Sequence, residues 1–455
     1  MGTETRRIRE KLGGSPHPRS DQATTAASDR TVAIVGLGAA GIATAIFAAR
    51  HHPGLTVLGL DGVKRLGAKI LVSGGGRCNV TNAVVDAADF HGANRKLIGH
   101  VLKAAPVDAT VSFFREIGVA LHEEPGGKLF PDSNSARSVL DALLLEASRC
   151  GVRVLTEQRV VGIEKAGNRF DIATTGGTID ARRVVLATGG LSLPKSGSDG
   201  GGYRFAQHLG HSIVPPTPAL VPLHLEGDFH VPLSGVSHTV VLRLITAGQQ
   251  PTQSAARPTA RPTARPMARI RGSMLWTHFG ISGPAVLDIS RFWLRERLEG
   301  RDAELRASFL PDEDFESAER LLIKIGSARG ALSLEKAMAS LLPARLAAAI
   351  LATLGMDPGT QLAHLSRADR RRLLHALLDW PLPVTGSRGY NYAEVTAGGV
   401  PLDELDLRTM ESRRCPGLHL VGEILDVDAR IGGFNFQWAW SSAWVAARGL
   451  SDSAP

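Results

Sequence analysis

The sequence predicts an α/β protein: a Rossmann-like domain assembled from both ends of the chain, with an inserted module between them. Three observations carry that expectation. A strand, glycine turn, helix and second strand follow one another from Thr31 to Asp61. A hydrophobic strand ends in a glycine turn near Ala187, and short strands with glycine turns return after Tyr390.

The 455 residues exceed what one core usually organises and suit two or three domains. With 43% apolar and 21% charged residues the composition is that of an ordinary folded protein, so disorder is expected only locally. Cys78, Cys150 and Cys415 form no pair or CxxC spacing. That argues against a disulfide framework or a structural zinc site and for a reducing, cytoplasmic compartment. The formal net charge of +8 suits nucleic acid or anionic lipid, and a dinucleotide equally, so charge chooses no partner. The apolar run Thr31–Ala49 passes for a membrane span or a signal by composition. Its three glycines and the long polar stretch before it argue against both, and no membrane span is expected.

Residues 1–29, rich in Ser, Thr, Arg, Gly and Pro, read as a disordered extension. Residues 30–192 form the first part of the nucleotide domain. They comprise TVAIVG as strand, LGAAGIATAIFAAR as helix, LTVLGLD as strand, helices near 94–117 and 135–149, and alternating strands near 152–187. Residues 193–385 change character, with Pro-rich strands and Ala/Leu-rich helices from Ser317 to Asp379, and are assigned to an insert with a low-complexity loop at 250–271. There ARPTARPTARPMAR, Ala256–Arg269, repeats every four residues with Pro in each period. Proline excludes a helix, so the expectation is a basic loop inserted in a hairpin, with contact to nucleic acid or membrane as the alternative. Residues 386–450, ending in an aromatic, Ala-rich helix near 435–448, belong again with the nucleotide domain.

Gly36, Gly38 and Gly41 form GxGxxG between the first strand and its helix. The first allows a tight turn, the second lets backbone approach a pyrophosphate, and the third permits close packing of helix on strand, with the helix N-terminus facing the phosphates. Asp61, twenty positions beyond Gly41, is placed to accept from a ribose. This unit fits NAD and FAD alike. Two further motifs point to FAD. ARRVVLATGG puts Ala187, Thr188 and Gly189 after a hydrophobic strand, which resembles the ATG turn of two-domain FAD enzymes. GLHLVGEILDVD ends a strand in Gly422 and Glu423, which resembles their late acidic motif; here Glu stands for the usual Asp, and Asp426 is the alternative carboxylate.

Taken together, AKILVSGGGRCNVTN, ATGGLSLPKSGSDGGGYRFAQHLGH, LWTHFGISGPAVL, AEVTAGGVPLDELDLRTMESR and GEILDVDARIGGFNFQWAWSSA make the chain similar to the BaiN/RdsA-type (YhiN-like) bacterial NAD(P)/FAD-dependent oxidoreductases, over nearly everything after residue 30. The resemblance implies an insert made of a small β-barrel and a helical part. It implies FAD contacts from Gly36 to Gly41, Ala39 and Ala40 included, and from Asp61 and Lys69. It adds the loop Gly74, Gly75, Gly76, Arg77, Cys78 and Asn79, and the turn Gly432, Gly433, Phe434 and Asn435. It implies reduction of an activated C=C bond of a small-molecule acceptor by hydride from flavin that NAD(P)H reloads. Reduction of uridine to dihydrouridine in RNA is one alternative, and a non-enzymatic FAD-binding protein another. The chain departs from the family with Asp61 for Glu, GSDGGG for GSTGDG at 197–202, and Ala443 and Ala447 for glycines.

Single side chains add less. Cys78 reads as packing rather than a redox or proton-donating thiol, because no second Cys or base adjoins it. Lys69, Arg77 and Lys195 are candidate partners for pyrophosphate or flavin charge. His208, His211 and His278 read as structural, and Trp438, Trp440 and Trp444 mainly as core. No pattern of metal-ligand spacing occurs, so no metal is expected. The motifs single out no catalytic residue and leave the oligomeric state open.

Overall fold

The computed structural model describes residues 30–246, 267–328 and 332–450. The extension expected at 1–29 and most of the loop at 250–271 lie outside the described residues.

Five parallel strands form the central sheet, in the order Leu418–Leu420, Arg183–Leu186, Thr31–Val35, Thr56–Leu60 and Arg153–Leu155. The short antiparallel strands Glu411–Ser412 and Leu405–Asp406 extend one edge. Segments more than 380 residues apart in sequence, Thr31–Val35 and Leu418–Leu420, thus flank the same strand. The first strand, TVAIV, is buried along its whole length, as β-branched residues covered on both faces should be. The helix Ala39–His51 packs against the final helix Phe434–Gly449. Small buried residues on both, Ala40 and Ala43 on one and Ala443, Ala446 and Ala447 on the other, allow the close approach. The two alanines that stand where the family has glycines are therefore packed methyls, both fully buried.

The segment read as one helix near 94–117 is two, Arg95–Ala104 and Val107–Glu116, because Pro106 cannot continue the first. It is the one stretch among the described residues long and apolar enough to cross a membrane. Its Ile98, Val101, Phe113 and Phe114 are buried in the main core instead.

A second sheet of seven antiparallel strands spans Leu223–Leu225 to Val384–Ser387, and the helices Phe315–Ala328, Leu334–Ala339, Ala344–Leu354 and Arg367–Leu378 lie beside it in sequence. Its core is separate and includes Trp276, Trp293, Leu242, Met338 and Leu346. The strands Ser237–Thr246 and Ala268–Thr277, which flank the arginine–proline repeat, pair as a hairpin from Ser237 with Leu275 to Leu244 with Ala268.

The cores change over between Leu209 and Leu223 on the way out and between Leu382 and Val400 on the return. Residues 193–209, assigned to the insert from sequence, therefore pack with the first body: the helix Gly201–His208 buries Tyr203 and Ala206 in it. The Pro- and Gly-rich stretch after residue 192 marks a turn over the sheet, which has the same composition as a boundary. A small third cluster, Ala219, Leu220, Val395 and Ala397 with Leu287 and Ile431 against it, joins the bodies. The buried ion pair of Arg291 with Asp428 (2.7 and 2.9 Å) spans the same junction.

Candidate functional site

The segments that follow the parallel strands open onto one cleft of about 640 Å³, in the position where a doubly wound sheet leaves a crevice. The three glycines of the first turn differ in what surrounds them. Gly36 sits at φ +92°, and a Cβ there would lie 2.7 Å from the carbonyl oxygen of Ala187. A Cβ on Gly41 would run into the carbonyl oxygen of Gly36, so helix and turn touch through it. A Cβ on Gly38 would meet nothing within 4 Å. Gly36, Gly38, Ala39 and Ala40 line the cleft, and Gly41 lies behind them.

Asp61 lines the cleft at the end of the second strand. Its Oδ2 accepts from the backbone N–H of Leu37 (2.7 Å) and its Oδ1 from that of Val63 (3.0 Å). The shorter acid is thus clamped to the glycine turn, and each oxygen keeps further acceptor capacity.

The Gly74–Asn79 loop arises from a kink inside the segment Ala68–Gly76, where Ser73 is extended and Gly74 and Gly75 are left-handed. Gly74, Gly75, Arg77 and Asn79 line the cleft, whereas Gly76 and Cys78 do not. Cys78, itself at φ +63°, is fully buried, and burial pushes its thiol up to about 12. A neutral, enclosed thiol packs; it does not react. Arg77 is taken up by Glu124 (2.5 Å) and by the Phe130 ring, 4.0 Å beneath its guanidinium. The buried Oδ1 of Asn79 has no hydrogen-bond partner among the described residues.

Lys69 and Glu423, both on the cleft, form an ion pair at 2.7 Å. Lys69 also donates to Ser192 Oγ (2.7 Å), while Glu423 Oε1 accepts from Ser192 Oγ (2.8 Å) and from the backbone N–H of Thr396 (2.9 Å). Of the two carboxylates left open by sequence, Glu423 is the one on the cleft. Asp426 lies off it, buried, with its carboxyl raised to about 6 by burial and by the nearby Asp428.

Ala187, Thr188 and Gly189 line the cleft next to the first turn. Gly189 is left-handed, and a Cβ there would come 2.7 Å from Ser198 Oγ. Gly422, also lining, donates to Ser442 Oγ (3.0 Å) and accepts from the Trp438 indole (3.2 Å). Gly432, Gly433 and Asn435 bring the N-terminus of the final helix to the cleft, with the Asn435 side chain clasping both backbone groups of Ala429. Phe434 points into the core instead, fully buried.

None of the singled-out histidines lines the cleft. His208 pairs with Glu164 (2.8 Å), buried His211 bridges Glu404 (2.6 Å) and Ser412 (2.7 Å), and His278 lies against Phe279. Lys195 is also off it. The cleft has in addition a wall to which the sequence assigned no role: Lys128 and Phe130 from a hairpin, Leu220, and Tyr392 with Glu394. Glu394 was legible only as part of AEVTAGGV, and the hairpin residues had no signal at all. Asp288, off the cleft, accepts from the N–H of the lining residue Ile431 (2.7 Å), and burial raises its carboxyl to about 6.

A dinucleotide with a flavin fits these residues. The cradle in front of Gly38 is open, a helix N-terminus faces it, and the buried Asn79 Oδ1 and Ser196 Oγ on the cleft wall await partners.

The model of the HI0933-like protein Rossmann domain matches residues 30–449. A ribosomal RNA dihydrouridine synthase of Escherichia coli is 36% identical over 421 residues, covering 92% of this chain and 97% of that protein. A 3-dehydro-bile acid delta(4,6)-reductase of Clostridium scindens is 32% identical over 421 residues, covering 92% and 99%. Among solved structures, an E. coli quinol fumarate reductase subunit is similar with a TM-score of 0.46 and 16% identity, over 92% of this chain and 69% of that one. The chain belongs to the HI0933-like Rossmann family, and it is an FAD-dependent oxidoreductase.

Proposed function

We propose that this oxidoreductase reduces an activated C=C bond of a small molecule, with NAD(P)H as the electron donor. The observation that carries the reading is the continuity of the cleft: the glycine cradle and a polar wall at the junction with the insert, Lys128, Tyr392 and Glu394, belong to one space. The two relatives support it, since one is named for making dihydrouridine and the other for a delta(4,6) reduction, and each product has lost a C=C bond.

Bound FAD supplies the hydride. Gly36, Gly38 and the N-terminus of the helix Ala39–His51 would hold its pyrophosphate by backbone approach, and Asp61 would accept from its ribose. Gly74, Gly75, Asn79, Ala187–Gly189, Gly432, Gly433 and Asn435 complete the walls. Lys69, held on Glu423, keeps a positive charge beside the cleft. The three free thiols suit a reducing compartment, and we place the protein in the cytoplasm.

The test is anaerobic. NADPH should bleach the flavin spectrum, and a cyclic enone should restore it. Reduced protein that no enone or uracil-type acceptor reoxidises would refute the reading. A second reading, uridine in RNA as the acceptor, is favoured by one feature. Arg388 lies 3.4 Å from the ring centre of Tyr392 and 4.6 Å from that of Phe279, and Tyr392, half-exposed on the cleft, offers a face on which a base stacks. Dihydrouridine lost from ribosomal RNA in a deletion strain would decide for it.

A further inference from the structure

We propose that Glu394 is the proton donor of this reduction: its carboxyl protonates the carbon adjacent to the one that takes the hydride. The proposal rests on the C=C reading and names a residue for a role that the motifs left empty.

Glu394 is placed for the task by its backbone and left free by its side chain. Its N–H donates to Leu220 (3.2 Å) and its carbonyl accepts from Ser192 (3.3 Å), which fixes the residue at the joint between the two bodies. The carboxyl, on the cleft wall, has no hydrogen-bond partner among the described residues. Every other carboxylate that lines the cleft is committed. Asp61 is held by two N–H groups, Glu423 by Lys69, Ser192 and Thr396, and Asp199 by Arg159 (2.5 Å).

The surroundings favour the acid form. Two charged groups face Glu394: Asp288, from the insert helix Pro284–Leu298, and Lys128, from the hairpin strand Lys128–Pro131. The side chain is open to the cleft yet ringed by protein. Desolvation is the largest influence on it, repulsion from Asp288 adds, and Lys128 opposes, with the carboxyl raised in sum. A carboxyl whose acid form is favoured by its surroundings is what a general acid needs.

The step balances. The electron-poor carbon of the C=C bond receives a hydride, two electrons and one proton, from reduced flavin, which is oxidised. The π pair moves to the adjacent carbon, and that carbanion or enolate takes the proton from Glu394. The acceptor is reduced by two electrons, and the Glu394 carboxylate recovers its proton from water.

The test compares wild type, Glu394→Gln and Asp288→Asn in single turnover, after anaerobic reduction, with a panel of cyclic enones, uridine and ribosomal RNA. Glu394→Gln keeps the shape and puts an amide in place of the carboxyl, with no acid proton to give, and reoxidation should slow by about 100-fold or more. In wild type the rate should fall as pH rises through the Glu394 titration. Asp288→Asn removes the repulsion, so this limb should move to lower pH. Infrared titration supplies a readout independent of any acceptor: Asp288 and Asp426 also have raised carboxyls, so the signal is the wild-type minus Glu394→Gln difference, a protonated-carboxyl component that persists above the ordinary Glu range. Unchanged reoxidation and pH limb in Glu394→Gln, or no such component, would overturn the role of Glu394 while leaving the C=C reading standing. Wild type that none of the panel reoxidises would overturn that reading, and this proposal with it.

Discussion

Gly38 and Gly41 stand three residues apart in one motif, and the structure predicts opposite consequences for the same small change. Gly41→Ala puts a methyl group into the carbonyl oxygen of Gly36, closer than any real Cβ approaches an atom, with Ala187 Cβ a further 3.2 Å neighbour. That carbonyl cannot swing away, because the Gly36 N–H is tied to Leu60 (2.8 Å) and the Gly36 Cα side abuts Ala187. Overpacking costs about 1–3 kcal/mol where side chains can yield, and a backbone neighbour puts this case at about 3 kcal/mol. Gly38 has φ −82° and ψ −161°, which any residue adopts, and its missing Cβ faces open space. Gly38→Ala should therefore leave the apoprotein as stable as before, or more stable by about 0.4–1 kcal/mol through the unfolded chain. The same methyl fills the place where a pyrophosphate approaches, and an overpacking cost of about 1–3 kcal/mol weakens FAD by roughly 5- to 150-fold. Urea unfolding of both apoproteins and FAD titration by flavin fluorescence separate the two effects. Wild-type FAD affinity in Gly38→Ala would refute the cradle, and wild-type stability in Gly41→Ala would refute the packing argument.

Three further outcomes follow from the geometry. Glu423→Gln leaves the Lys69 ammonium without its ion pair in a half-buried site, and should cost about 1–3 kcal/mol in thermal or urea unfolding, with weaker FAD binding; a variant equal to wild type in both would show that the Lys69–Ser192–Glu423 contacts hold nothing. Cys78, its thiol pushed up to about 12 by burial, should resist iodoacetamide at pH 8 until the protein unfolds, and rapid labelling by mass spectrometry would contradict its place in the core. His91 is lowered to about 4 by burial, with Arg291 also lowering it, so the unfolded chain takes a proton first. The resulting penalty is absent above about pH 6.5 and grows to about 3 kcal/mol as pH falls to about 4. His91→Asn should flatten that limb in urea midpoints measured against pH, and an unchanged slope would refute the assignment.

What was legible in the sequence is what the backbone does locally. GxGxxG, ATG and the glycines at 74–76 each report a turn that a few neighbouring residues determine, and all three turns lie at the cleft or lead into it. Whether a residue in such a turn faces ligand or core is a different matter. Cys78 and Asn79 are adjacent, yet one is sealed in the core and the other lines the cleft, because the left-handed step at Cys78 turns the chain between them. Phe434 and Asn435 divide in the same way at a helix start. The choice between Glu423 and Asp426 needed partners far along the chain, Lys69 at 354 residues and Ser192 at 231, and no local pattern contains that. The boundary at residue 192 failed for a related reason: a Pro/Gly-rich turn looks the same whether the chain is leaving a domain or crossing over it.

The two ends of the cleft are built on different principles, and this bears on how one family acts on unlike acceptors. The cradle is made by single short segments, each folding on itself and packed on the central sheet, so a change there acts directly on the proposed cofactor site. The other end, the proposed acceptor side, is a meeting of segments far apart in sequence: Lys128 and Phe130 from a hairpin, Leu220 from the insert side, Tyr392 and Glu394 from the returning chain, and Ile431 before the last helix, with Asp288 behind it accepting from the Ile431 N–H. No single motif determines its shape. Substitutions in the insert or the hairpin can reshape it while the cradle stays as it is, and a ribosomal nucleoside and a bile acid are indeed the acceptors named for relatives about equally similar to this chain. On this argument, exchanging the residues around Leu220, Asp288 and Tyr392 for those of either relative should alter the preferred acceptor and leave FAD affinity unchanged. A swap that instead lowers FAD affinity to the extent Gly38→Ala does would show that the two ends are not separable.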